Sequence, residues 1–299
     1  VAAPAPSVAF TEFEITIPAP GDFRSGSNVH RQASDHAAGD ELIPAGRRLR
    51  SAEIAVAATC GAAQVQVAAR PKVAVIATGD ELAEVGDREL ASHHVRKSND
   101  YALRAALALD GLTGPIERLH LRDEWPEIEA GLARALAEYD VVILTGGVSR
   151  GRFDHVPAVL AALGVEAKIG GVAQRPGKPM SFGVSPGGVP VFALPGNPVS
   201  ACVCLHRYVL PALRRMAGAP APNAEFVTLG KAVTFSPPLT YFLPVRVESR
   251  MDGSRIATPE PFNTSGDVGG LLQTDGFVEL AAESNMFSPG LTVRFWRWA

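Results

Sequence analysis

Four Gly/Pro-rich turns constrain this chain more than any other feature, because most of them stand at the end of an apolar run. They are Thr78-Gly79-Asp80-Glu81, Thr145-Gly146-Gly147-Val148-Ser149-Arg150-Gly151, Pro176-Gly177-Lys178-Pro179 and Leu194-Pro195-Gly196-Asn197-Pro198. Two of the feeding runs, Val73 to Ala77 and Val141 to Leu144, read as buried parallel strands. Turns at the carboxyl ends of such strands form the ligand crevice of an open α/β sheet. Glycine brings backbone N–H groups close to an anion, and a following helix start adds its positive end. The pattern points to a phosphorylated small molecule, with acidic side chains in the same turns for a metal or a proton transfer.

The pattern around these turns sets the fold class. Val73 to Ala77, Ile116 to Leu119, Val141 to Leu144 and Val189 to Ala193 are expected strands. Between and after them come helices from Ser98 or Asn99 to Leu109, from Glu127 to Ala137 and from Asp154 to Leu163. A long helix capped by Asn197, kinked at Pro211 and ended by Gly218 follows. This alternation predicts an open, mostly parallel sheet with helices on both faces, three layers in all, over residues 71–218. Residues 1–70 lack a helical period apart from a short helix over Ser51 to Ala58, with Ser51 as its cap and Gly61 closing it. With Phe13 to Ile17 alternating like a strand, this part reads as β-rich and irregular. Gly39 to Leu42 repeats the Gly-Asp-Glu-Leu of Gly79 to Leu82 without a buried strand before it, and reads as a chance surface turn. After an Ala-Pro linker at Ala219 to Asn223, residues 219–299 read as a small, barrel-like all-β domain, with strands at Phe226 to Leu229, Tyr241 to Val247, Phe277 to Leu280 and Val293 to Trp298.

Composition excludes some partners. The formal charge is −3, which argues against bulk attraction to nucleic acid or an anionic membrane, and no apolar run is long enough to span a bilayer. Any anion site must therefore be locally basic. Cys60, Cys202 and Cys204 have no metal-binding spacing and read as thiols of a reduced, cytoplasmic protein. The chain begins with Val1 in an Ala/Pro-rich stretch that has no signal-peptide pattern, and it reads as a protein missing its start.

Several residues offer chemistry beside a structural alternative. Asp80 and Glu81, at a strand end, suit a divalent cation or a base, or else a helix dipole. Thr145, Ser149 and the N–H groups around Gly146 and Gly147 suit phosphate, with Arg150 and Arg152 adding charge. Asp154 is a helix cap or a metal ligand. Arg175 and Lys178 put two cations on a loop stiffened by Pro176 and Pro179. Pro195, Gly196, Asn197 and Pro198 make a fixed strand-to-helix corner. Asp123 and Glu124 read as capping groups, Asp35 as part of a polar turn with His30 and His36, and Trp296 and Trp298 as packing on one face of a strand. His93 and His94 are adjacent and are assigned no metal.

These motifs, in this order and spacing, resemble those of the molybdopterin molybdenumtransferases, the family of MoeA and the gephyrin E domain. The motifs concerned are Thr78 to Leu82, Gly146 to Gly151 with Asp154, Pro176 to Pro179 and Leu194 to Ser200. Gly26 to Asp35, Gly39, Ala45-Gly46 and the all-β tail also resemble the family, so the likeness covers nearly the whole chain. It implies a MogA-like central domain, molybdenum cofactor biosynthesis, adenylated molybdopterin and molybdate as substrates, and release of AMP helped by Mg²⁺ or another divalent ion. By motif match, Asp35, Glu81, Asp123 and Asp154 would be the acidic residues needed for activity, with Glu81 and Asp154 at the metal. Thr78, Gly79, Asp80, Thr145, Gly146, Gly147, Ser149, Arg175, Lys178, Pro195, Asn197 and Pro198 would contact substrate or shape its pocket. The family further implies a homodimer and contact with a MogA-like adenylyltransferase.

Three departures accompany the resemblance: a family N-terminal region is absent or was never included in this sequence, Arg175 stands where many members have Lys, and Gly171 stands where a basic residue is common. They keep alternatives open, namely a molybdopterin-binding scaffold without catalysis, a molybdopterin adenylyltransferase, or an α/β nucleotide-binding domain of other chemistry.

Overall fold

The computed structural model describes residues 26, 29–147, 155–260 and 264–298. The chain divides into two units, Val1–Pro44 and Ala45–Ala299. In the first, the described residues form exposed turns, and the expected strand at Phe13 to Ile17 lies outside them. Residues 45–70 of the second unit add one helix, α1 (Ser51–Thr59), and no strand among the described residues. Arg50, not Ser51, is its cap residue, and the acceptor is an acid: Glu53 Oε2 accepts the Arg50 N–H at 3.0 Å. Arg47 and Arg50 side chains hold that carboxyl down to about 2.

From Val73 the chain builds the α/β layer. Its strands are β1 (Val73–Thr78), β2 (Leu82–Ala83), β3 (Val95–Arg96), β4 (Ile116–Leu121), β5 (Val141–Thr145), β6 (Glu166–Gly170), β7 (Gln174–Arg175), β8 (Ser181–Val184) and β9 (Pro190–Leu194). Its helices are α2 (Asn99–Asp110), α3 (Trp125–Glu138), α4 (Val156–Ala162), α5 (Pro198–Cys204) and α6 (Leu210–Met216). The main sheet runs β4-β1-β5-β9-β8-β6, with β4, β1, β5 and β9 mutually parallel and β8 antiparallel to both its neighbours. Alternation decides which face each side chain serves. Val73, Val75, Val141, Ile143, Phe192 and Leu194 pack with Leu103 and Leu107 of α2 and with α5 and α6. Ala74, Ile76, Val142, Leu144, Val191 and Ala193 pack on the other face with Ile128 and Leu132 of α3 and Val156 and Val159 of α4. This is the expected three-layer arrangement.

Three details differ from the sequence reading. Helix α3 begins at Trp125, because Pro126 tolerates the first turn, where an N–H would go unused. The long helix breaks into α5, a π-helical turn at Leu205–Val209 and α6, so the irregularity precedes Pro211 rather than sitting on it. Proline has no N–H for the turn before it, and its ring crowds that turn's carbonyl. Strands β2, β3, β6, β7 and β8 have no counterpart in the sequence reading; β6 is exposed along its whole length, so no burial pattern marks it.

The last part holds β10 (Glu225–Leu229), β11 (Val233–Thr234), β12 (Thr240–Ser249), β13 (Arg255–Pro259), β14 (Gly276–Leu280), β15 (Met286–Phe287) and β16 (Thr292–Arg297). Strands β13, β10, β16, β14 and β12 close on themselves through a β12–β13 pairing, which makes a small barrel. Val278, Leu243, Val245, Val293 and Phe295 fill it. The alternate residues Phe242, Phe277, Trp296 and Trp298 point outward and pack on Val199 and Val203 of α5. Trp296 and Trp298 are thus packing residues on one face, as their spacing predicts. Phe277, with no exposed surface, stacks on Trp296 at 6.2 Å and meets Phe242 edge-on at 5.5 Å. Phe277→Ala is expected to cost about 3–5 kcal/mol, measured as a shift in urea unfolding of the whole chain.

Candidate functional site

The crevice opens where β1, β5 and β9 end. Thr78 and Thr145 are the last residues of their strands and are buried. Gly146, at φ +93°, brings its backbone so close to β1 that a Cβ there would lie 2.5 Å from the Thr78 carbonyl. Gly147, at φ +62°, would put a Cβ 2.5 Å from Thr78 Oγ1. No other residue fits this approach at positive φ. Asn99, the first residue of α2, ties the strand ends together: its Nδ2 donates to Thr145 Oγ1 at 2.8 Å and to the Gly196 carbonyl at 2.7 Å. The Thr145 hydroxyl donates in turn to the Pro195 carbonyl at 3.3 Å. Thr78 Oγ1 and Asn99 Oδ1 are buried and have no protein partner among the described residues. Leaving such atoms unpaired is costly, and both residues line the crevice.

Two cavities meet along this crevice. One, of about 660 Å³, is lined by Thr78, Glu81, Asn99, Thr145, Gly146 and Gly147 among others. The second, of about 700 Å³, lies between the α/β layer and the barrel and is lined by Arg175, Lys178, Ser200, Lys231, Tyr241 and Ser265 among others. Pro179, Pro195 and Asn197 line both, so the corner after β9 is their common wall. Pro198 lines the first. Asn197 occupies the cap position of α5, but its side chain does not cap; Nδ2 donates to Ser265 Oγ at 3.0 Å. Ser265 also accepts the Val199 N–H at its carbonyl, 3.0 Å away, which fixes the barrel loop against the helix start.

The cation loop is held from beneath. Strand β7 leaves the main sheet and pairs in parallel with β12, Arg175 opposite Tyr241. Arg175 lies 5.9 Å over the Phe235 ring, which stacks on Tyr241 at 4.1 Å. Buried Gln174 donates from Nε2 to the Pro176 carbonyl at 3.0 Å and to Cys204 Sγ at 3.6 Å, and its Oε1 accepts from the Tyr208 hydroxyl. Gly177, at φ +95°, leaves room for this network; a Cβ would meet Gln174 Nε2 at 2.6 Å and Cys204 Sγ at 2.7 Å. Tyr208 belongs to the π-helical turn, so that irregular turn delivers a hydrogen bond to the loop.

Other sequence-singled residues fall elsewhere. The Glu81 carboxylate folds back over Gly79 and faces the first cavity. Asp80 accepts the Asp123 N–H at 3.1 Å, and neither Asp80 nor Asp123 lines either cavity. The Gly79 carbonyl accepts from His120 Nε2 at 2.9 Å. Asp35 pairs with His30 at 3.3 Å on the exposed surface of the first unit. Ser149 and Asp154 lie outside the described residues. Sequence reasoning missed Asn99 as a site residue, because Ser98-Asn99 reads equally as a helix cap. It missed Lys231 and Ser265, because barrel loops carry no local sign that they return to the crevice.

Burial pushes the Cys202 thiol up to about 11 and the Cys204 thiol to about 12, whereas Cys60 is exposed. Cys204 is buried, Cys202 is only partly exposed, and both stay protonated at neutral pH, so Cys60 is expected to react fastest with an aromatic disulfide reagent in the native protein and all three thiols after unfolding. Gly177→Ala is expected to cost about 1–3 kcal/mol in urea unfolding, because the strained backbone and the crowding against Gln174 act together.

An open α/β sheet with glycine-rich turns at its strand ends, joined to a β-barrel that lines the second cavity, defines a two-part α/β-and-barrel protein. Residues 74–215 match the probable molybdopterin binding domain, and residues 227–298 match the MoeA C-terminal region, domain IV. A molybdopterin molybdenumtransferase of Synechocystis is 36% identical over 296 residues, which cover 99% of this chain and 73% of that protein. One of Staphylococcus epidermidis is 33% identical over 281 residues, 93% of this chain and 66% of that protein. Two structures of the molybdopterin biosynthesis MoeA protein of Pyrococcus horikoshii superpose with TM-scores of 0.72 and 0.74, at 32% and 22% identity. They cover 85% and 89% of this chain, which spans 61% and 63% of theirs. The chain belongs to the molybdopterin molybdenumtransferase family.

Proposed function

We propose that this protein is a transferase of molybdenum cofactor biosynthesis that takes adenylated molybdopterin and molybdate, hydrolyses the phosphoanhydride with water, releases AMP and leaves molybdenum on the dithiolene. The observation that carries this reading is the pair of adjoining cavities that share Pro179, Pro195 and Asn197 as a wall. A substrate with a nucleotide at one end and a dithiolene at the other needs two linked compartments. Family membership supports the assignment of the chemistry.

The residues divide the work by type. In the first cavity, the Thr78 hydroxyl and Asn99 Oδ1 are the unpaired groups that orient the nucleotide part, and the backbone at Gly146 and Gly147 lets phosphate come close. In the second, Arg175 and Lys178 neutralise the anionic end, with Arg supplying a planar fork and Lys a point charge. Thr145, locked by Asn99 and Pro195, keeps the strand ends at fixed spacing while bonds change.

No group of three or more His, Cys, Asp or Glu side chains that could hold a metal is present among the described residues. Mg²⁺ asks for less: it binds through one or two carboxylates and completes its shell with water and substrate phosphate. Glu81 and the unpaired Thr78 hydroxyl are oxygen donors of that kind, and Asp154 is the further acid this reading assigns to the ion. When bound, such an ion would polarise the phosphoanhydride as a Lewis acid. The same reading includes a homodimer, a cytoplasmic location and a hand-over contact with a MogA-like adenylyltransferase, all on the strength of the family. No helix among the described residues is long and apolar enough to cross a membrane.

Incubation with adenylated molybdopterin, Mg²⁺ and molybdate, with AMP followed by chromatography, tests the reaction. Molybdate-dependent AMP release is expected, and its absence in a protein that still binds the substrate would overturn the reading. Lys178→Ala is expected to lower the rate of AMP release by about 10²-fold with unfolding behaviour unchanged, since Lys178 faces the cavity and makes no ion pair among the described residues.

A further inference from the structure

Lys231 stands on the barrel, in the turn between β10 and β11, and is exposed. It lines the same cavity as Arg175, the last residue of β7, and Lys178, in the loop between β7 and β8. None of the three cations forms an ion pair among the described residues. Arg175 rests over an aromatic ring, and the one carboxylate in the cavity lining, Glu260, is held by Arg246 at 3.1 Å. Three positive charges face one cavity of about 700 Å³ with no free carboxylate among its lining residues. Bringing like charges to one cavity is unfavourable unless an anion joins them. Ser200 and Ser265 add hydroxyl groups to the same wall, as a tetrahedral oxyanion requires.

We propose that Lys231 is a binding residue for the oxyanion substrate and completes, with Arg175 and Lys178, a three-cation tray that spans the α/β layer and the barrel. This rests on the functional reading above and deepens it. The ligand is a tetrahedral dianion, bound between two parts of the chain. Strand β7, which pairs with β12, holds the two cation sources at a fixed spacing, and Lys231 stands exposed in the turn between β10 and β11.

The test is calorimetry of the whole chain with sodium molybdate, and separately with AMP, for the wild type, Lys231→Met and Lys231→Arg. Because Lys231 is exposed, both variants are expected to unfold like the wild type. Lys231→Met is expected to weaken molybdate binding about tenfold, the weight of one charge-assisted contact, and to make it less sensitive to salt. Lys231→Arg is expected to keep most of the affinity, and AMP binding is expected to be unchanged in both variants. Equal molybdate affinity in the wild type and Lys231→Met overturns the assignment of Lys231 and leaves the functional reading standing. Weakened AMP binding with unchanged molybdate binding also overturns it, by moving Lys231 to the phosphate. No molybdate binding by the wild type overturns the functional reading itself along with this site.

Discussion

Two residues of backbone pairing hold the site together. Strand β7 belongs by sequence to the α/β layer, yet it pairs with β12 of the barrel, Gln174 with Thr240 and Arg175 with Tyr241. The Thr240 N–H extends the pairing to the Ala173 carbonyl at 3.0 Å. Arg175 ends β7, and the loop that follows carries Lys178 and then returns to the main sheet as β8. It is therefore anchored to both sheets, one at each end. A loop on one sheet alone would be free to swing its charges away from the crevice, and ordering it on binding would cost affinity.

Packing supports this pairing from the other side. The outward aromatic face of the barrel lies against Val199 and Val203 of α5, and α5 begins at the corner that walls both cavities. Asn197 to Ser265 and Val199 to Ser265 hydrogen bonds fix the barrel loop to that same corner. The site therefore sits where two cores are joined by apolar contact and by few, well-directed polar bonds. The two walls of the pocket are thereby held in place, since neither can relax without disturbing a core.

The central layer was legible because parallel strands buried on both faces are near-continuous apolar runs, and β1, β5 and β9 are such runs. Helices α2 and α3 show their period plainly, and Gly111 ends α2 in the left-handed region at φ 72°. The turns after these strands marked the crevice for the same reason: Gly146 and Gly147 sit where only glycine allows the backbone to approach Thr78. What escaped notice was exposed or short. Strand β6 has no buried face, β7 is two residues long, and the barrel strand β13 mixes polar and apolar residues without a clear period. Asn99 looked like a cap, and only the fold shows its amide spent on Thr145 and Gly196.

The sequence by itself determined the layered α/β class, the strand ends that carry the glycine-rich turns, and the cation pair Arg175 and Lys178, since each is written in residues adjacent along the chain. Only the tertiary structure decided that the pocket has two compartments, that the barrel supplies Lys231, Tyr241 and Ser265 to one of them, and that Gln174 and Tyr208 hold the cation loop. The physical reason is distance along the chain. Periodicity and turn chemistry act over a few residues, whereas β7 meets β12, and Asn197 meets Ser265, across 68 residues in the latter case. Contacts of that span are chosen by how two cores pack, which no local pattern records.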